Sequence, residues 1–560
     1  MPPAVHKTAR RDEMTEKHLR KATASEDNLL RIFTVPEAAD STLGRIEQQL
    51  SADLAGFLQD NIAALEQPLS DIEDHFYSVE VPPQPQFVSD YVDDIMAHLV
   101  AQSVHTAAPS FIGHMTSALP YFLLPLSKLM VGLNQNLVKI ETSKAFTPME
   151  RQVLGMMHHL IYGREKDFYQ GFLHSASHAL GAFCSGGTVA NITALWIARN
   201  QLLKARGNFR GVTREGLHKA LKHYGWDDLA ILVSERGHYS LGKAADLLGI
   251  GRDNIISVPV DAHNKVDIDA MRVAAAQLQA RNIRVMAIVG VAGTTETGNV
   301  DPLAEMAALA KEIDCHFHVD AAWGGATLLS EKYRYLLSGI ELADSVTIDA
   351  HKQMYVPMGA GMVLFKNPSF ASAIEHHAEY ILRQGSKDLG SQTLEGSRPG
   401  MAMLVHACLN IIGREGYEIL INGSLERARF FAGLIEAQTD FELISEPELC
   451  LLTYRYVPAK VRLALAQAVA QHDKDKLDAI GSLLDDLTRA IQKTQREQGK
   501  SFVSRTRITP KRYGNDKRTV FRVVLANPLT TEAILAAVLE EQRALASGET
   551  EILQALDALC

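Results

Sequence analysis

LAILVS at 229–234, NIISVPV at 254–260, VMAIVGVAG at 285–293, CHFHVD at 315–320, DSVTIDA at 344–350 and GMVLFK at 361–366 are the stretches on which the fold turns. Each is rich in valine and isoleucine and apolar at consecutive positions, not alternate ones, and helix-length segments separate most of them. A strand that is apolar on both faces has to be covered on both faces, so the pattern predicts an α/β fold with a mainly parallel sheet flanked by helices. Ligands of such sheets sit beyond the carboxyl ends of the strands, which makes the polar residues closing each run the place to look for chemistry.

Outside this core, a chain of 560 residues with 46% hydrophobic and 22% charged side chains suffices for more than one domain. Three regions are expected: an N-terminal segment, 1–85, partly disordered and then helical; a large domain, 86–395; and a smaller α+β C-terminal domain, 396–560. Residues 1 to about 28 are too polar to order without a partner chain, and the proline-rich VPPQPQF at 81–87 marks the first boundary. In the last region a charged helical stretch at 460–498 leads into SFVSRTRI at 501–508, VFRVVLANP at 520–528 and a helix at 530–546. The net charge of -10 offers no basic field for nucleic acid. Five scattered cysteines without a CxxC pair argue against a disulfide framework or a zinc site, so no metal is expected. The first 21 residues lack the apolar stretch of a secretory signal, and YFLLPLSKLMVGL at 121–133 is broken by Pro125 and Lys128 and too short to span a bilayer. A cytoplasmic protein without a membrane partner is expected.

The polar groups at the strand ends complement one another. In FCSGGTVANITALWIARNQLL, Gly186, Gly187 and Thr188 open a helix whose Val189, Ile192, Trp196 and Leu203 share a face. Free NH groups, helix dipole and hydroxyl there suit a phosphate monoester, or the glycines simply make a tight turn. His238, after LAILVS, has the ring to lie flat on an aromatic cofactor, or is an ordinary loop or core histidine. Thr294 and Thr295 in VGVAGTTETGNVDPL offer hydroxyls to a phosphate or ring oxygen, or belong to a plain turn. Asp320 closes CHFHVD before the small residues AAWGG; it would keep a pyridine nitrogen protonated, or cap a helix. Lys352, next to His351 in DSVTIDAHKQMYVP, follows a strand that should be buried. A partly buried lysine is a nucleophile for an aldehyde, the alternative being a solvated side chain. Arg522 sits inside an apolar strand and needs an anion, a substrate carboxylate or an internal one.

Taken together and in this order, SGGTVAN, GHYS, GTTETGNVDP, HVDAAWGG, DAHK and FRVVLANP resemble the group II pyridoxal-phosphate-dependent amino-acid decarboxylases from about residue 111 to 527. LGSQTLEGSRPG and GREGYE make the chain most similar to the bacterial aspartate 1-decarboxylase and glutamate decarboxylase branch, with the aspartate enzyme favoured. The resemblance implies a fold type I homodimer with active sites at the subunit interface, pyridoxal 5'-phosphate as cofactor and a small acidic amino acid as substrate. It further implies that Lys352 forms a Schiff base with the cofactor, that Asp320 pairs with the ring nitrogen, and that His238 stacks on the ring. Gly187, Thr188, Thr295 and His351 would lie around the cofactor, and Arg522, His114 and Thr116 near the substrate.

Two departures accompany the resemblance. The stretch LRQGSKDLGSQTLEGSRPG at 382–400 has no tyrosine where many relatives carry a proton donor, and Asp349 stands where an amide or hydroxyl is common near the phosphate. An ionised Asp349 would repel phosphate and is expected to turn away or bond a backbone NH. The implied reaction yields β-alanine from aspartate or GABA from glutamate; the rivals are another reaction of the same cofactor, such as transamination, and a noncatalytic cofactor-binding protein.

Overall fold

The computed structural model describes residues 25–26, 69–81, 88–377, 385–514 and 516–560. The expected disorder of residues 1 to about 28, the proline-rich boundary at 82–87 and the first residues of the tyrosine-free stretch, 382–384, lie outside the described residues, apart from 25–26.

The apolar runs form a seven-stranded sheet: β1 (Gly181–Cys184), β2 (Asp228–Ser234), β3 (Ile255–Val258), β4 (Ile283–Val291), β5 (His316–Asp320), β6 (Ser345–Asp349) and β7 (Gly361–Phe365), in the order β1-β7-β6-β5-β4-β2-β3. Neighbours from β3 through β6 are parallel, while β7 runs antiparallel to both β6 and β1. β5, β6 and β7 are buried almost throughout, as strands covered on both faces must be. The sequence reading did not single out β1, a four-residue strand. Helix Gly187–Leu202 packs against the sheet, but its burial is wider than one apolar stripe: Ala190, Thr193, Ala194, Ala198 and Asn200 are buried too. Small residues let it lie close to the strands.

A second, antiparallel sheet follows in the order β10-β11-β9-β8, from β8 (Phe441–Ser445), β9 (Leu451–Tyr456), β10 (Ser504–Ile508) and β11 (Arg518–Val524). The charged stretch at 460–498 is two helices, Ala459–Gln471 and Lys474–Gln498, because His472 adopts φ 56° and ends the first. Residues 110–113 tie this sheet back to the site. Phe111 stacks on Phe502 with centroids 4.6 Å apart, Ile112 N–H donates to Phe502 O at 3.0 Å, and Val524 N–H donates to Ile112 O at 2.7 Å. All five cysteines are free thiols. Among the described residues no helix is long and apolar enough to cross a membrane.

Candidate active site

The carboxyl ends of β2, β4, β5 and β6 open into a cavity of about 350 Å³ whose wall includes Gly187, Thr188, His238, Thr295, Asp320, His351 and Lys352. His114, Thr116 and Arg522 stand outside this lining, although Met115, between the first two, reaches it.

Lys352 lies three residues past the end of β6, with Nζ 3.2 Å from Asp349 Oδ2; His351 Nε2 is 3.6 Å from the same oxygen. Asp349 is buried and its Oδ1 has no hydrogen-bond partner. It therefore neither turns away nor bonds a backbone NH, contrary to expectation. The reason is packing: a Cβ on Gly187 would come 2.7 Å from Oδ2, and one on Gly361 2.6 Å from Oδ1, so only glycines let the two chain segments close on the carboxylate.

Asp320, at the end of β5, accepts from Ala322 N–H at 3.1 Å and from Asn191 Nδ2 at 2.8 Å. It caps no helix; the next, a short 3₁₀ turn, begins at Gly324 with Trp323 at its cap position. His238 lies in the turn after β2 with Nδ1 2.8 Å from Ser240 Oγ. Burial lowers its pKa, an effect that the Asp320 charge opposes and Lys352 reinforces.

Helix Gly187–Leu202 starts without a side-chain cap, leaving NH groups of its first turn open to an anion. Just before it, Ser185 N–H donates to Glu395 Oε2 at 3.0 Å, so a carboxylate already sits beside this turn. On the opposite wall the Thr294 hydroxyl bonds Thr297 Oγ1 at 2.9 Å and serves the turn itself, whereas Thr295 faces the cavity.

Arg522 is 8% exposed and has no carboxylate within ion-pair distance among the described residues. Its Nε donates to Thr295 O at 2.7 Å, and Nη1 to Gly113 O at 3.2 Å and to Ser504 Oγ at 3.4 Å. Burial lowers its pKa to about 10, with the Glu296 charge opposing. Partial desolvation, then the charges of Arg522 and Lys352, lower the pKa of His114. Thr116 Oγ1 is buried without a hydrogen-bond partner.

Sequence reasoning missed Arg236, which lines the cavity and donates Nη2 to Asn264 Oδ1 at 3.0 Å. It also passed over Asn191, although that residue ends the quoted SGGTVAN, one helical turn beyond Gly187.

The donor set fits pyridoxal phosphate: an amine for the aldehyde, a buried carboxylate for the ring nitrogen, a half-buried imidazole, and an uncapped helix start for the phosphate. The family model described as the pyridoxal-dependent decarboxylase conserved domain matches residues 73–457. A protein of Aliivibrio fischeri named aspartate 1-decarboxylase is 64% identical over 527 residues, covering 94% of this chain and 96% of that protein. An L-2,4-diaminobutyrate decarboxylase of Acinetobacter baumannii is 30% identical over 364 residues, 63% of this chain and 68% of that one. In fold the chain is similar to mouse CSAD, with a TM-score of 0.75 and 22% identity over 90% of this chain and 99% of that one. It is similar also to Oryza sativa TDC solved with PLP and tryptamine, with a TM-score of 0.74 and 18% identity over 91% of this chain and 100% of that one. The chain belongs to the pyridoxal-dependent decarboxylases.

Proposed function

We propose that this enzyme removes the α-carboxylate of L-aspartate, releasing carbon dioxide and β-alanine. The choice of aspartate is carried by the 64% identity, nearly end to end, with the Aliivibrio fischeri aspartate 1-decarboxylase. The chemical support is Arg522, a buried guanidinium that among the described residues bonds only neutral acceptors and so keeps its charge for a substrate carboxylate.

When bound, pyridoxal phosphate supplies an aldehyde to capture an amine and a ring to accept the electron pair left by the departing carboxylate. Lys352 Nζ would be the amine that anchors it, Asp320 would keep the ring nitrogen protonated, and His238 would supply a flat face for the ring. Gly187, Thr188, Thr295 and His351 surround the cofactor. Arg522, with His114 and Thr116, would grip a substrate carboxylate and so set which bond at the α-carbon is broken. Lys352 Nζ or His238 Nε2 returns a proton to that carbon.

A homodimer is part of this proposal. The helix Leu123–Leu133 leaves Leu124, Leu129, Val131 and Leu133 between 53% and 70% exposed, apolar surface on both sides of the helix that suits a second copy. The free thiols suit the reducing cytoplasm.

Purified protein with cofactor is to be given aspartate, glutamate, cysteine sulfinate and an aromatic amino acid separately, with carbon dioxide measured. Aspartate should react fastest, and borohydride reduction with peptide mapping should label Lys352. Faster release from glutamate would move the assignment by one methylene, worth only about 1 to 3 kcal/mol in a pocket. A keto acid in place of carbon dioxide would indicate transamination, and no turnover despite labelling would indicate a binding protein.

A further inference from the structure

Behind the cavity, four buried or half-buried side chains lead to Asp320. His316 Nε2 is 2.8 Å from Ser345 Oγ, Ser345 Oγ is 2.9 Å from His318 Nδ1, His318 Nε2 is 3.0 Å from Asn191 Oδ1, and Asn191 Nδ2 is 2.8 Å from Asp320 Oδ2. A branch runs from Asn191 Nδ2 to Ser240 Oγ at 3.0 Å and from there to His238 Nδ1 at 2.8 Å.

The donor inventory fixes the direction of the bonds nearest Asp320. Were the Asn191 amide turned over, its oxygen would meet a carboxylate oxygen at 2.8 Å, so Nδ2 faces Asp320 and Oδ1 faces His318. His318 Nε2 must then carry a proton. Its Nδ1 faces both Ser345 Oγ at 2.9 Å and the Ser345 carbonyl oxygen at 3.1 Å, and these two contacts hold the ring in place. On the branch, Asn191 gives its second N–H to Ser240, and the Ser240 hydroxyl donates to His238 Nδ1. The Ser240 backbone N–H points at the same nitrogen from 3.3 Å. His238 thus carries its proton on Nε2.

Among the described residues, every hydrogen bond to Asp320 is a donation from a neutral group, the Asn191 amide or the Ala322 N–H. Neutral donors favour the carboxylate over the acid without cancelling its charge, which an arginine would do. We infer that Asn191, oriented by His318 and Ser345, is a positioning residue that holds the Asp320 carboxylate in place for a cationic ring nitrogen and, through Ser240, fixes the tautomer of His238. One amide would set both groups that meet the cofactor ring. The inference rests on the proposed place of Asp320 at that nitrogen. Satisfying buried polar atoms would alone explain the bonds, but not a chain ending on two cavity residues.

The test is cofactor affinity without substrate, read by absorbance for pyridoxal phosphate and for its 1-deaza analogue, in which CH replaces the ring nitrogen. The wild type should prefer the natural cofactor, and Asp320→Asn should abolish the preference. Asn191→Ala and His318→Leu should each cut it at least tenfold while changing analogue affinity less than threefold. Asn191→Ala should add nothing in the Asp320→Asn background. His318→Gln, which keeps a donor for Asn191 Oδ1, should restore most of the preference and shows the effect in a well-packed variant. Equal loss of both affinities would make the chain merely structural and overturn the inference. Full preference in Asn191→Ala with none in Asp320→Asn would overturn it while leaving the place of Asp320 intact. Undiminished preference in Asp320→Asn would overturn both.

Discussion

Replacing Arg522 by methionine keeps the length and apolar stem of the side chain and removes its charge. Nε and Nη1 hold Thr295 O, Gly113 O and Ser504 Oγ, and Nη2 makes none of these bonds. A substrate carboxylate taken up by the free end gains a charge-assisted hydrogen bond worth about 1.5–3 kcal/mol. At about 1.4 kcal/mol per factor of ten, the loss should raise KM for aspartate roughly 10- to 150-fold. The same substitution breaks the tie between Thr295 and Gly113, so folding stability should fall as well. Steady-state kinetics with saturating cofactor separate the two effects, because a folded variant with its cofactor retained reports substrate binding alone. Arg522→Lys keeps the charge without the planar fork and should fall between methionine and wild type. An Arg522→Met enzyme that is folded, holds cofactor and keeps KM within threefold of wild type would refute the assignment of this guanidinium to substrate.

Asp349→Asn removes a negative charge from the glycine turn proposed to hold phosphate; at roughly 1 kcal/mol of repulsion relieved, cofactor should bind about fivefold more tightly in an absorbance titration. Weaker binding would mean that the carboxylate has a constructive role. Glu150→Gln leaves Arg398, which Glu150 grips through both guanidinium nitrogens, buried without its carboxylate. Urea denaturation should show a loss of about 3–5 kcal/mol, partly recovered when Arg398→Met is added. Burial lowers the pKa of His158 from 6.5 to about 4, so the unfolded chain takes up this proton first as pH falls. Stability present above pH 6.5 is lost down to pH 4 by up to about 3 kcal/mol from this ring alone. His158→Asn should make unfolding free energy less steep over that window, and an unchanged slope would exclude the ring as a contributor.

The central sheet was legible because parallel strands buried on two faces need continuous apolar runs. DSVTIDA became Ser345–Asp349, and CHFHVD became His316–Asp320. β1 was not read, since GAFC is four residues long and pairs antiparallel with a strand far along the chain. Lys352, Asp320 and His238 were recognisable because polar groups that close buried strands stand out against their surroundings. The contacts of Arg522 were not, as two of them are backbone oxygens 227 and 409 residues away, and a backbone oxygen has no sequence signature. The orientation of Asp349 was read wrongly, because it depends on Gly187 and Gly361 approaching from separate segments. Asn191 was passed over, although among the described residues its amide is the only group joining the acid to the imidazole branch.

The bridge between residues 110–113 and the C-terminal strands bears on how the protein is made. Strands β1 to β7 can assemble, with the lysine and the glycine turn, once residue 365 has been synthesised. Phe111 and Ile112, by contrast, wait for Phe502 and Val524. Sequence separations of about four hundred residues make such contacts late and slow to form. On a growing chain the proposed grip on substrate is thus the last part of the site to be completed.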